Sequence, residues 1–351
     1  MNSVFTGTWG SYHIQGIAID QKKGYMYYSF TTKLIKATLD GEIVGTVDGL
    51  MGHLGCIAFN EEDGRVYGSI EYLNDEIGKM VMDAVGSDAK FETGLYIAIF
   101  DVDKITKPDM DAEKDGIVTT VYLKEVVDYI EGTGKNSKGE VVPHKYGCSG
   151  IDGVTFGPLC GEAPDSKKYL YVCCCAYGDT TRDDNDYQLI HVYDTADWKE
   201  YEKPICQTNM HTSGPKEAFK KYFVFTGNTT YGVQNIEYDP YTNSFFLAVY
   251  KGKKPEYPNY SLFAVDAKIA PKREKLKGLD EEGDVLTLLD AGKIHEETGI
   301  RGWDFPRGST GIYAWGDGTY TISESRIAKT GQCSLLVKYV WDEVHPFILD
   351  A

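Results

Sequence analysis

A chain of 351 residues carrying a formal charge of −17 is a poor partner for phosphate backbones and anionic bilayers, since affinity for either rests on clustered Lys and Arg. Neither nucleic acid nor membrane is expected to bind, and no stretch approaches the roughly 18 apolar residues of a spanning helix. With 26 Tyr, 38 Gly and 12 Pro the composition leans toward strands and turns.

The opening Met-Asn-Ser-Val-Phe-Thr-Gly-Thr-Trp has no basic region and no long apolar core, so a soluble, cytoplasmic protein is expected unless a leader has been removed. Eight Cys would permit disulfides. The run Cys173-Cys174-Cys175 argues instead for buried free thiols, because successive strand residues point to opposite faces, and no CxxC pair suggests a metal site.

In chain order, one module recurs five times. Its first strands are His13-Ile-Gln-Gly-Ile-Ala-Ile-Asp20, His53-Leu-Gly-Cys-Ile-Ala-Phe-Asn60, Gly150-Ile-Asp-Gly-Val-Thr-Phe-Gly157, Gly232-Val-Gln-Asn-Ile-Glu-Tyr-Asp239 and Gly308-Ser-Thr-Gly-Ile-Tyr-Ala-Trp315, which align without gaps. Second strands follow short turns at Gly24, Gly64, Lys168, Asn243 and Gly318, where Gly or Asn supplies hairpin chemistry in four of five. Third strands close on Asp40, Asp101, Asp194, Asp266 and Asp342, aspartates placed to start turns. Fourth strands are predicted near 43–47, 117–123, 203–207, 285–289 and 346–350.

Four strands in each of five units predict an all-β fold, a five-bladed β-propeller in a single domain spanning 1–351, with blades at approximately 10–50, 51–125, 146–208, 230–290 and 306–350. The segment 4–8 is a candidate to close the ring beside the last blade.

Long connections at 71–93, 126–149, 176–187, 208–231, 251–260 and 291–308 all belong to one face, which predicts an ordered rim with helical signals at 123–130 and 215–222. On that face the aligned set Gln15, Gly55, Asp152, Gln234 and Thr310 should ring the axis, with His13 and His53 two positions earlier. Such a lining suits a hydroxyl-rich or anionic small ligand; a water-filled channel is the plain alternative. Asn235 and Tyr231 flank the ring. Scarce cations on the rim, Lys254, Arg182, Arg301 and Arg307, suggest a carboxylate or phosphate clamp, with Trp303 as a stacking surface or a loop anchor.

Three carboxylates are candidates for catalysis: Asp152 on the axis, with Glu71 and Glu324 at the ends of second strands. A pair about 5 to 9 Å apart, one protonated and one ionised, is what glycosidic cleavage needs. A divalent cation at the axis is the second option, as Ca²⁺ on Asp152, Gln234 and Asn235 or as Zn²⁺ or Mn²⁺ on the histidines. No contiguous ligand motif supports either, and the acidic loop 179–186 reads as a solvated surface loop. Cys148 with Ser149, His144 and His211 lacks any nucleophile signature, and neither a Walker nor a Rossmann pattern calls for a nucleotide cofactor.

The repeat skeleton resembles the five-bladed propellers of the arabinanase and fructosidase clans of glycoside-acting enzymes and of some lectins. The Asp152-Gly153 and Gln234-Asn235 strands are also similar to those of the regucalcin-type metal-dependent lactonases, which are six-bladed. The chain lacks the Glu-Gly-Pro of the lactonases and the Trp-x-x-Asp-Pro-Asn of the fructosidases. What the resemblance implies is a small polar, carbohydrate-like ligand in an axial pocket, with hydrolase or lyase activity as one outcome. A lactonase-like hydrolase and a non-catalytic protein-interaction scaffold are the alternatives.

Overall fold

The computed structural model describes residues 3–10 and 12–350. Five antiparallel blades surround a central axis, each led by an inner strand: Ile14–Asp20, His53–Asn60, Cys148–Gly157, Thr230–Asp239 and Ile312–Ala314. Each inner strand packs against those of the two adjacent blades, which closes the ring. These strands are buried along nearly their whole length, because a neighbouring sheet covers each face.

The hairpins form where the turn chemistry points. Gly24 and Gly64 take φ values of 73° and 71°, and their N–H groups bond the carbonyls of Asp20 and Asn60 at 2.9 Å in both cases. Asn243, with φ 51°, serves the fourth blade. Of the aspartates at third-strand ends, Asp194, Asp266 and Asp342 accept the N–H two residues on.

Among the described residues five apolar clusters form the core, one in each wedge between adjacent blades. Val172 and Leu189 of the third blade face Ile97 and Val121 of the second, for example, and Phe246 of the fourth faces Ile322 of the fifth. No blade covers its own faces; each is completed by its neighbours. The ring closes through Ser3–Trp9, which lies antiparallel to Gly331–Trp341 in the last blade, while Phe347–Leu349 pairs with the far end of that same strand.

Outer strands depart from expectation in the third and fourth blades. Lys203–Pro204 joins the second blade as a fifth strand beside Val118–Tyr122, and the third blade's fourth strand is Lys220–Phe225. The helix expected at 215–222 is therefore absent: its last residues pair with Tyr187–Tyr193, and tertiary pairing overrides the local helical signal. In the fourth blade the segment 286–289 follows the third strand only through isolated contacts, such as the Leu289 N–H to the Ala264 carbonyl at 2.8 Å. The helix expected at 123–130 is present as Lys124–Glu131.

All eight cysteines are free; seven are buried and Cys206 is exposed. No described helix is long and apolar enough to cross a membrane.

Candidate functional site

A cavity of about 260 Å³ lies at the axis on the face that carries the long loops. Its floor is polar: Gln15, His53, Glu71, Asp152 and Gln234 come from four inner strands and one second strand, with His13 beside them. Its wall is aromatic and aliphatic, built from Tyr12, Tyr177, Tyr231 and Tyr250 with Ile77 and Met80 of helix α1 (Glu76–Val85).

Two glycines make room for the two carboxylates. A β-carbon on Gly150, whose φ is 143°, would stand 1.9 Å from Oε1 of Glu71, and one on Gly55 would stand 2.3 Å from Oδ1 of Asp152. In that space Glu71 Oε1 accepts the Ile151 N–H at 2.5 Å, and Asp152 Oδ1 accepts the Cys56 N–H at 2.9 Å. The other oxygen of Glu71 is 3.4 Å from Nδ1 of His53.

Burial dominates the proton affinities here. It pushes Asp152 up to about 7, with the negative charge of Glu71 adding to the effect and His53 and the Cys56 amide opposing it. Glu71 is raised by the same desolvation, against the pull of His53 and the Ile151 amide. For His53 burial works against the cation, but the hydrogen bond and charge of Glu71, joined by Asp152, outweigh it and leave the imidazole more basic than usual. His13 moves the other way, lowered by burial and by His53.

Gln15 bridges His53 and Thr31. Its amide lies 3.2 Å from His53 Nε2 and 3.0 Å from Thr31 Oγ1. A protonated His53 has hydrogen on both ring nitrogens, so it needs the carboxamide oxygen opposite Nε2, and turning the amide over supplies it.

Several residues singled out from the sequence lie elsewhere. Asn235 is a tie between blades: its Nδ2 donates to the carbonyls of Gln15 at 2.8 Å and Ser309 at 3.0 Å, and its Oδ1 is 3.3 Å from Cys56 Sγ. Thr310 does not line the cavity and bonds Ser323 Oγ at 2.6 Å. Glu324 faces away, held by Arg307 at 3.0 Å, Arg326 at 3.2 Å and the Tyr339 hydroxyl at 2.7 Å. The candidate carboxylate set on the axis is thus Glu71 and Asp152.

The expected anion clamp is not assembled either, because its cations are spent on local partners. Lys254 is buried against Asp186, Arg182 against Asp184 at 2.8 Å, and Arg301 pairs with Asp290 at 2.8 Å. The loop 179–186 is accordingly no solvated acidic loop: Arg182, Asp184, Asn185 and Asp186 are all buried in it. Trp303 is a loop anchor, buried with its Nε1 donating to the Glu343 carbonyl at 3.1 Å.

Among the described residues no group of three His, Cys, Asp or Glu side chains is arranged to hold a metal ion, and Asp152 has no such companions. Cys148 offers no nucleophile: burial pushes its thiol up to about 12, while His144 is engaged with the Ile130 carbonyl and His211 with Thr120.

The repeat alignment holds a further ring position, of which only Glu71 was a candidate from the sequence. Thr31, Glu71, Cys175 and Tyr250 occupy one equivalent position just after the second strand's core, and all four line the cavity. Glu237 stands where the other inner strands carry Ala18, Ala58, Thr155 and Tyr313. Burial pushes its carboxyl up to about 8, and it opens on a separate cavity lined also by Gln21, Glu61 and Lys168. Helix α1 was marked only by its ends, an Asp75 side chain that caps the Gly78 N–H at 2.8 Å and a left-handed Gly86.

No family model matches this chain, and no curated protein does. Among solved structures it is similar to a GH43 β-1,3-galactosidase with galactodeoxynojirimycin, at 10% identity and TM-score 0.45 over 99% of this chain and 97% of that one. It is similar to regucalcin from Agrobacterium tumefaciens at 12% identity and TM-score 0.36, over 99% and 96% of the two chains. A Dos1 propeller shares 8% identity at TM-score 0.36 over 93% and 78%. Likeness at this level says nothing of activity, and the blade count rests on the strand topology itself.

Proposed function

We propose that the axial cavity binds a small, uncharged, hydroxyl-rich ligand of carbohydrate type, with Asp152 and the Glu71–His53 pair as its proton-handling groups. The observation that carries this reading is the composition of the floor: two amides, two carboxyls and two imidazoles, with no Lys or Arg lining the cavity. Such groups donate and accept to hydroxyls in both directions, and the one imidazole that favours its cation, His53, is already paired with Glu71. Tyrosine rings on the wall suit the flat apolar face of a sugar.

Hydrolysis or lyase elimination is the chemistry the same groups would support. Asp152 retains its proton up to about pH 7 and suits a general acid, while Glu71, hydrogen-bonded to His53, suits a base or nucleophile. Their different surroundings, one against a backbone amide and one against an imidazole, are what would separate the two roles.

A thermal-shift and calorimetric screen of neutral monosaccharides and glycosides against sugar acids and sugar phosphates tests the reading. Neutral sugars should raise the melting temperature of the native protein and lose that effect in Asp152→Asn or Glu71→Gln. Preferential stabilisation by the anionic series would overturn it.

A further inference from the structure

The cavity floor and its mouth differ in kind. Ile77 and Met80 project from α1 at 36% and 52% exposure, and Tyr231 reaches over the same opening from the fourth blade at 43%. These three apolar side chains come from two blades: Ile77 and Met80 from the helix inserted in the second, Tyr231 from the start of the fourth blade's inner strand. Exposed apolar groups gathered at one opening mark a contact surface for something bound there.

Tyr231 is held in place with some backbone strain. Its φ is 64°, a left-handed conformation that non-glycine residues rarely adopt, and the Gln234 side chain fixes it by donating to the Tyr231 carbonyl at 2.9 Å. The same glutamine forms part of the floor, so the aromatic group at the mouth and the polar groups below are positioned together. Helix α1 is similarly tied, since the Tyr12 hydroxyl donates to the Met80 carbonyl.

Size adds a constraint. About 260 Å³ lies just below the roughly 300 Å³ at which drug-sized sites begin, so the floor admits a group of monosaccharide size and little more. Anything larger must extend beyond it, where the exposed apolar lining is Ile77 and Met80 of α1 and Tyr231. A bare sugar gains from a tyrosine face, but Ile77 and Met80 offer its hydroxyls nothing.

We infer that the ligand is amphipathic: a neutral polyhydroxylated head on the floor, carrying an aromatic or branched aliphatic substituent that lies between Ile77, Met80 and Tyr231. This rests on the reading of the axial cavity as a neutral-sugar site and specifies the substrate class as glycosides of apolar alcohols or phenols.

The test compares methyl and phenyl glycosides of glucose, galactose and mannose, in both anomers, by calorimetry. Phenyl glycosides should bind about tenfold tighter than their methyl partners, which corresponds to about 1.4 kcal/mol and to about 55 Å² of buried apolar surface. In Ile77→Ser/Met80→Ser, two partly exposed positions whose replacement does not touch the core, the ratio should fall to near one. Equal binding of methyl and phenyl forms would overturn the amphipathic ligand and leave the sugar site standing. A phenyl preference that survives in the double variant would also overturn it. Failure of every glycoside to bind would remove both readings at once.

Discussion

Asp152 and Gly55 share one space on the axis. The carboxylate reaches the Cys56 N–H at 2.9 Å because the residue before that amide has no side chain, and a methyl group there would stand 2.3 Å from Oδ1 and 2.6 Å from Ser69 Oγ. A glycine on the second blade thus decides where an acid from the third blade sits.

Gly55→Ala should therefore displace Asp152 without altering any ligand-facing group chemically. An overpacked site of this sort costs about 1 to 3 kcal/mol. Chemical denaturation should show that loss, and stabilisation by neutral sugars should vanish with it. Full retention of the sugar response would show that Asp152 is dispensable for binding.

Stability should depend on pH through Asp152. The unfolded carboxyl titrates near 3.8 and the folded one at about 7, so between those values the folded state keeps a proton that the unfolded state has released. Stability falls as pH rises through that window and stays lowered above it. Asp152→Asn, which has no charge to bury, should be more stable than wild type at about pH 8 by up to the order of 4 kcal/mol, and the difference should vanish toward pH 4. Urea denaturation of both proteins across that range makes the check.

Much of the ring was legible in the sequence because its strands keep a strict period and its turns keep their glycines. Glu324 shows the limit. Counted from Gly318 it falls one residue short of the position that holds Glu71 in the second blade, and with a side-chain period of two that single step turns it to the opposite face of the sheet, toward Arg307 and Tyr339. The third blade's outer strand was hidden for another reason: Lys220–Phe225 follows a long insertion, and only its pairing with Tyr187–Tyr193, distant in sequence, tells strand from helix. Side chains of the wall, Tyr12 and Met80 among them, carry no motif; the loops alone bring them together.

The buried Lys254–Asp186 pair should be costly to break and cheap to replace. Lys254 Nζ also meets the Arg182 carbonyl and Asn185 Oδ1, so Lys254→Met strands a buried carboxylate and should destabilise the protein by about 3 to 5 kcal/mol. Adding Asp186→Leu removes that orphaned charge, and the double variant should recover most of the loss, with the Tyr257 hydroxyl, the Arg182 carbonyl and Asn185 Oδ1 as the partners left over. Guanidinium titrations of the two variants distinguish a charge effect from a packing effect.

Closure of the ring should hinge on Thr6. Its buried hydroxyl accepts the Ser334 N–H at 2.9 Å and donates to the Ser334 carbonyl at 3.2 Å. Thr6→Val keeps the shape and leaves that amide unpaired, a loss of about 1 to 3 kcal/mol. Hydrogen exchange should then quicken first along Gly331–Trp341, ahead of the four other blades.

Because, among the described residues, Ser3–Trp9 pairs with Gly331–Trp341 alone, a strand ahead of the first blade waits for one in the last. During translation four blades can assemble in order while this segment stays idle, and the circle completes in one late step joining sites more than three hundred residues apart. Loop closure over that span is slow compared with hairpin formation. Until that step the ring is an open crescent whose first and last wedge faces are bare, a form in which a chaperone, or a second crescent, would find its opportunity.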